Sequence, residues 1–145
     1  MLNILILCTG NSARSILAEA LFNARGEGRV RACSAGSKPA GAVNRHAIAL
    51  LDSKGFDTAG LRSKSWDEFE GPHAPVMDAV ITVCDSAASE ACPIWPGAPV
   101  RAHWGLPDPA GVADEAEARA AFEATFQALE ARVRAVLAVD GLDDP

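Results

Sequence analysis

The stretch Cys8-Thr9-Gly10-Asn11-Ser12-Ala13-Arg14-Ser15 is the part of this chain best equipped for chemistry. It sets a thiol and a guanidinium at either end of a short run of small and polar residues. The backbone N–H groups of such a loop, from Thr9 to Arg14, can turn inward and form a nest for an anion. A planar guanidinium such as that of Arg14 grips two oxygens of a tetrahedral oxyanion at once. In that field the pKa of a thiol falls well below its free value of about 8.5, and the thiolate of Cys8 becomes a nucleophile. Gly10 is expected to supply the unusual backbone angles of the cradle. Thr9, Ser12 and Ser15 offer hydroxyls, and Ser15 is the best placed to hydrogen-bond the thiolate. The same residues also have a plainer reading, a buried cysteine in a tight turn followed by a surface arginine, so the elements around them decide.

Those elements are legible. Leu2 to Leu7 is a short apolar run, as in a parallel strand buried on both faces. Ser12 is a candidate cap for a helix whose Leu17, Ala20, Leu21 and Ala24 share a face, and which Gly26 and Gly28 end. Arg29 to Ser34 alternates as a second strand. Asn44 can cap a helix with Ala47, Ile48 and Leu51 turned inward and Gly55 beyond its end. Ser65-Trp66-Asp67-Glu68 has capping-box spacing. Ala79 to Val83 is a third strand that delivers Cys84, and the prolines between Pro93 and Pro99 force a loop. Val100 to Trp104 reads as a last strand and Gly105 to Gly111 as a second loop. Asp114 to Val139 repeats Phe122, Phe126, Leu129, Val133 and Val136 at helical spacing; residues 140–145 form a frayed tail. Strands alternating with helices predict one α/β domain over residues 1–145, with a parallel sheet of about four strands. Ligands of such sheets lie outside the carboxyl ends of the strands. Cys8, Cys84 and the loop after Trp104 all fall there.

Composition narrows the function. The chain has 145 residues, 49% hydrophobic and 22% charged, the profile of an ordinary globular domain. No apolar run approaches the roughly 18 residues of a membrane span, and Leu2–Leu7 lacks the basic flank of a signal peptide. A formal charge of −6 argues against a nucleic-acid partner. With no export signal, a cytoplasmic location is expected, and Cys8, Cys33, Cys84 and Cys92 read as thiols. Cys33, inside a strand, is expected to be core filler. A zinc site from Cys84, Cys92 and His103 matches no common ligand spacing, so no bound metal or cofactor is expected.

With these elements in place, Cys8 to Ser15 resembles the phosphate loop of the low-molecular-weight protein tyrosine phosphatase superfamily. Cys-Thr-Gly-Asn-Ser-x-Arg-Ser is, more narrowly, the form seen in its arsenate reductases. The likeness continues through Ser34-Ala35-Gly36, Val80 to Pro96, and His103-Trp104-Gly105 to Asp108-Pro109-Ala110-Gly111. It implies a four-stranded parallel sheet with helices on both faces, Cys8 as nucleophile, Arg14 as oxyanion clamp and Asp108 as general acid. Asp108 suits that role chemically: a proline-braced loop can aim a carboxyl at a departing oxygen. A turn aspartate is the blander reading.

Cys84 and Cys92 enclose a small, polar segment, and Cys92-Pro93-Ile94 resembles the thioredoxin-coupled arsenate reductases. That resemblance implies a relay of thiol–disulfide exchanges, from Cys8 to Cys84 to Cys92, reopened by thioredoxin or by glutaredoxin with glutathione. Some arsenate reductases of this family hold potassium through residues matching Asn11, Glu19, Ser34 and an aspartate. Lys64 stands at that last position here, so a Glu19–Lys64 pair and no cation site are expected. Two other functions fit the same loop: hydrolysis of phosphate monoesters, which would not need Cys84 and Cys92, and oxyanion binding without catalysis. Trp95 and Trp104 are expected to anchor loops or core rather than to wall a phosphotyrosine pocket.

Overall fold

The computed structural model describes residues 2–26, 28–69, 76–83, 100–105, 109 and 114–138. Four strands, β1 (Leu2–Leu7), β2 (Val30–Ala35), β3 (Ala79–Thr82) and β4 (Val100–His103), form one sheet in the order β2-β1-β3-β4. Every pairing is parallel; Leu7 stands opposite Ala35 on one side and Thr82 on the other. β1 is central and therefore apolar on both faces. Its Asn3 lies at the opposite end from Cys8. There the Asn3 amide donates to Asp78 Oδ2 at 2.8 Å and its side chain to the Val76 carbonyl at 3.0 Å. The one polar residue of the run is thus satisfied at the rim.

Among the described residues three helices, α1 (Arg14–Arg25), α2 (Arg45–Ser53) and α3 (Glu115–Leu137), pack on one face. Ile4, Ile6, Cys8, Ala32, Ile81 and Val83 meet Leu17, Leu21, Leu51, Phe122, Phe126 and Leu129 in the main core. On the other face, Leu5, Leu7, Ala35 and Val80 pack with Met77 and with Phe69 of a 3-10 turn over Trp66–Phe69. The alternation of β1 side chains makes both cores from one run.

Local signals act largely as expected. Asn44 caps α2 by accepting from the His46 amide at 2.8 Å, and Gly55 follows with φ +83°. Asp114 caps α3 by accepting from Glu117 N at 2.9 Å. Phe122, Phe126, Leu129 and Val133 are buried along its inner stripe. Three expectations need correction. Ser12 does not cap α1: the cap position is Ala13, without a side-chain bond. The Ser65 segment forms only a single 3-10 turn, in which Ser65 Oγ accepts from Asp67 N but Glu68 binds Arg62 instead of reaching back. Ala24 is exposed although it was expected on the inner face; the buried run of α1 ends at Phe22.

Candidate active site

β1 ends at Leu7, and Cys8, buried, opens the loop that leads to Arg14 at the start of α1. The loop's shape is fixed from outside. The Thr9 carbonyl accepts from Lys38 N at 3.0 Å, the Gly10 carbonyl from Ala40 N at 2.9 Å, and the Ser12 carbonyl from Asn44 N at 2.9 Å. Ser63 Oγ also donates to the Gly10 carbonyl at 3.2 Å. In a planar trans peptide, the carbonyl of one residue and the N–H of the next point in opposite directions. Tying these carbonyls outward therefore turns the N–H groups of Gly10, Asn11 and Ala13 to the inner side. That is an anion nest, and α1 directs its positive end at the same place.

The left-handed residue of the loop is Asn11, with φ +45°, and not Gly10 as the sequence suggested. A methyl group on Gly10 would come no nearer than 3.8 Å to Ser12 Oγ. Asparagine is one of the few side chains that visits this region readily, because its carboxamide can bond locally. Here that carboxamide is wholly buried and makes three hydrogen bonds. Its Nδ2 donates to Ser15 Oγ at 2.8 Å and to Ser34 Oγ at 2.9 Å, while its Oδ1 accepts from Lys64 N at 2.9 Å. Ser34 in turn donates to Glu19 Oε1 at 2.5 Å.

The expected Glu19–Lys64 pair is present. Lys64 Nζ lies 3.7 Å from Glu19 Oε1, and both side chains are about nine-tenths buried, at 7% and 11% exposure. The ammonium also donates to the Arg62 carbonyl at 3.2 Å. The potassium site of some relatives does not fit these residues. Lys64 brings an ammonium to 3.7 Å from Glu19 Oε1, so a cation at that carboxylate would meet a like charge.

In the sequence Gly36 stands out only through a resemblance, and the structure gives it a reason. A Cβ there would lie 2.3 Å from the Thr9 carbonyl oxygen and 2.6 Å from that of Cys8. The end of β2 passes directly under the loop, with Gly36 held by Lys64 and Trp66 through backbone bonds. A glycine directly after a strand is the signal available; its close approach is visible only in three dimensions.

Cys33 faces the second core, half-buried, and burial pushes its pKa up, with Glu19 adding to the effect. It is a filler thiol, as expected. Trp104 stacks on Phe22 at 5.9 Å and packs, partly buried, against the main core. His103, at the end of β4, shares a 2.7 Å hydrogen bond between its Nδ1 and Thr82 Oγ1. The structure thus brings together Cys8 through Ser15 with Glu19, Ser34, Gly36 and Lys64. Cys84, Cys92, Asp108, Trp95 and the tail lie outside the described residues.

Comparison with known proteins agrees with this geometry. Residues 3–143 match the family model described as low molecular weight phosphotyrosine protein phosphatase. Over 108 residues the chain is 37% identical to an arsenate reductase of Bacillus cereus, covering 74% of this chain and 77% of that one. It is 34% identical over 119 residues to the arsenate reductase of Bacillus subtilis, covering 82% of each. A solved arsenate reductase in its phosphate-binding state superposes with a TM-score of 0.78 at 25% identity, covering 95% of this chain and 98% of that chain.

Proposed function

The chain belongs to the low molecular weight phosphotyrosine protein phosphatase family, and from that premise we propose that it is an arsenate reductase. The observation that carries this reading over hydrolysis is the likeness to arsenate reductases; the loop supplies the chemistry the readings share, with outward-tied carbonyls, inward N–H groups and a buried cysteine at the mouth of a helix N-terminus. Such a cradle stabilises a thiolate and a tetrahedral oxyanion in one field.

The chemistry follows in balanced steps. The Cys8 thiolate attacks arsenate, the N–H groups and Arg14 neutralise its oxygens, and Asp108 gives a proton to the oxygen that leaves as water. Arsenic is still pentavalent in the resulting Cys8–S–As adduct. The Cys84 thiolate then attacks Cys8 sulfur; the electron pair of the S–As bond passes to arsenic, and trivalent arsenite departs. A Cys8–Cys84 disulfide remains. Cys92 attacks Cys84, freeing Cys8 and leaving Cys84–Cys92 for an external dithiol to reduce. Thioredoxin is the proposed donor, with glutaredoxin and glutathione as the other candidate. Cys33 has no part in the relay.

The test is arsenate-dependent NADPH oxidation in the presence of thioredoxin and thioredoxin reductase, with Cys92→Ser beside the natural chain. Turnover by the natural chain and none by the variant is expected. If neither thioredoxin nor glutaredoxin supports turnover, while an aryl phosphate is hydrolysed with Cys84 and Cys92 both replaced, the protein is a phosphatase working with Cys8, Arg14 and Asp108.

A further inference from the structure

α2 and α3 leave between them a cavity of about 510 Å³, a volume in the range of small-molecule sites. It lies apart from the site described above, and no residue from Cys8 to Ser15 lines it. Its apolar lining is Ala49 and Leu50 from α2 and Phe122 from α3. The His46 ring, only 15% exposed, lies against that of Phe122 with centroids 5.4 Å apart. A flat apolar body therefore has aromatic surface to rest on. The polar lining is unequal in charge. Arg45 and Arg119, 75% and 74% exposed, both border the cavity, and Glu115 is the one carboxylate among the described residues that line it. Arg45 donates to Glu115 twice, at 3.2 and 3.0 Å, while Arg119 stands 4.0 Å away. The bond from Arg45 lowers the pKa of the Glu115 carboxyl, which is therefore charged at neutral pH and offsets one guanidinium. One positive charge is left over, and a protonated His46 would add to it. Each guanidinium has five N–H groups, so the two bonds from Arg45 to Glu115 leave it donors for a second anion. His46 Nε2 lies 3.7 Å from Glu115 Oε2, beyond hydrogen-bond reach.

We propose that this cavity is a second ligand site, built for a small planar aromatic monoanion whose ring lies on Phe122, His46 and Leu50 and whose carboxylate meets Arg45 and Arg119. The volume admits a body of about two fused rings. Glu115 holds the Arg45 guanidinium in place before the ligand arrives, so less side-chain freedom is lost on binding. The class follows by elimination among charges and shapes. A cation would meet two guanidiniums, and a neutral body would leave their remaining donors unused. A bare tetrahedral oxyanion, the ligand of the Cys8 loop, would leave the apolar lining unused. The site stands whatever reaction Cys8 performs, because it shares no residue with that loop.

The experiment is a titration of the full ¹⁵N-labelled chain with 2-naphthoate, followed by amide NMR so that each site reports separately. The neutral 2-naphthalenemethanol is titrated beside it. Two variants accompany the natural chain, Arg119→Ala and Ala49→Trp. Both positions are exposed, so the fold is expected to survive, and a thermal melt verifies it. Saturable shifts are expected at amides of residues 45–53 and 115–122. The alcohol and the Arg119→Ala protein should each bind about tenfold more weakly, the loss of one charge-assisted contact. The indole of Ala49→Trp should fill the cavity and abolish the shifts there while both guanidiniums remain. Shifts confined to residues 8–15, or none up to the solubility of the probe, overturn the proposal. So does equal affinity for acid and alcohol, which would make the cavity a mere apolar dent, or binding at α2 and α3 that Ala49→Trp leaves unchanged. The assay contains no arsenate and reads no turnover, so its failure is separate from failure of the reductase reading.

Discussion

Replacing Gly36 by alanine should damage the site more than any other single methyl group in the described chain. The added Cβ would stand 2.3 Å from the Thr9 carbonyl oxygen, where even a tight contact needs 3.0–3.4 Å. The backbone must therefore yield by about 1 Å, a displacement that can cost a hundredfold in rate when it moves catalytic groups. The obstructing atoms are main-chain atoms of Cys8 and Thr9, so no side chain can swing aside. Gly36 cannot retreat easily either: its N–H donates to the Lys64 carbonyl at 2.9 Å and its carbonyl accepts from Trp66 N at 3.0 Å. Overpacking of this kind costs about 2 kcal/mol of stability, or about 5 °C in melting temperature for a domain of this size. The assay pairs a thermal melt with the rate of Cys8 alkylation and of turnover. Gly60→Ala serves as control, because a Cβ there meets nothing within 4 Å. A Gly36→Ala protein that melts and turns over like the natural chain would refute the close packing of β2 against the loop.

Three further outcomes follow from the geometry. Asn11→Ala loses the carboxamide that makes φ +45° tolerable and strands buried partners at Ser15, Ser34 and Lys64; a loss of about 3 kcal/mol in urea unfolding is expected, and a loss under 1 would contradict the network. Cys33, whose pKa is raised by burial, carries less thiolate than an ordinary cysteine at any given pH; it should alkylate far more slowly than Cys8, and Cys33→Ala should leave turnover intact. Glu130 has its carboxyl pKa lowered chiefly by its hydrogen bond from Arg25, at 2.9 Å. A lowered folded pKa gives stability that is present above the ordinary carboxylate range and is lost as the pH falls through the folded value. Acid titration of Glu130→Gln should therefore show a shallower loss of stability below pH 4.5 than the natural chain; identical slopes would remove the pair from the account.

The sequence disclosed those features whose cause is local. A continuous apolar run names β1, and the caps at Asn44 and Asp114 were readable because the capping oxygen and the amide it serves are two or three residues apart. The thiol, the guanidinium and their spacing were readable for the same reason. What failed was conformational detail within the loop. Gly10 was the natural candidate for a special backbone angle, yet the left-handed residue is Asn11, because long-range bonds to Ser34 and Lys64 hold its side chain. Ser12 looked like a cap by type, but its carbonyl is drawn toward Asn44 and the helix begins one residue later. The steric role of Gly36 depends on the approach of two segments far apart in sequence. The Glu19–Lys64 pair was reached only by aligning a resemblance; no spacing rule joins residues 45 positions apart in different elements.

The central claim is tested most directly by a single turnover without any external reductant. Fully reduced protein is mixed with excess arsenate, and arsenite and free thiols are counted over time. The account predicts one arsenite released per chain, with the loss of two thiols, and none from Cys8→Ser. Thiols that stay reduced while no arsenite forms would contradict it.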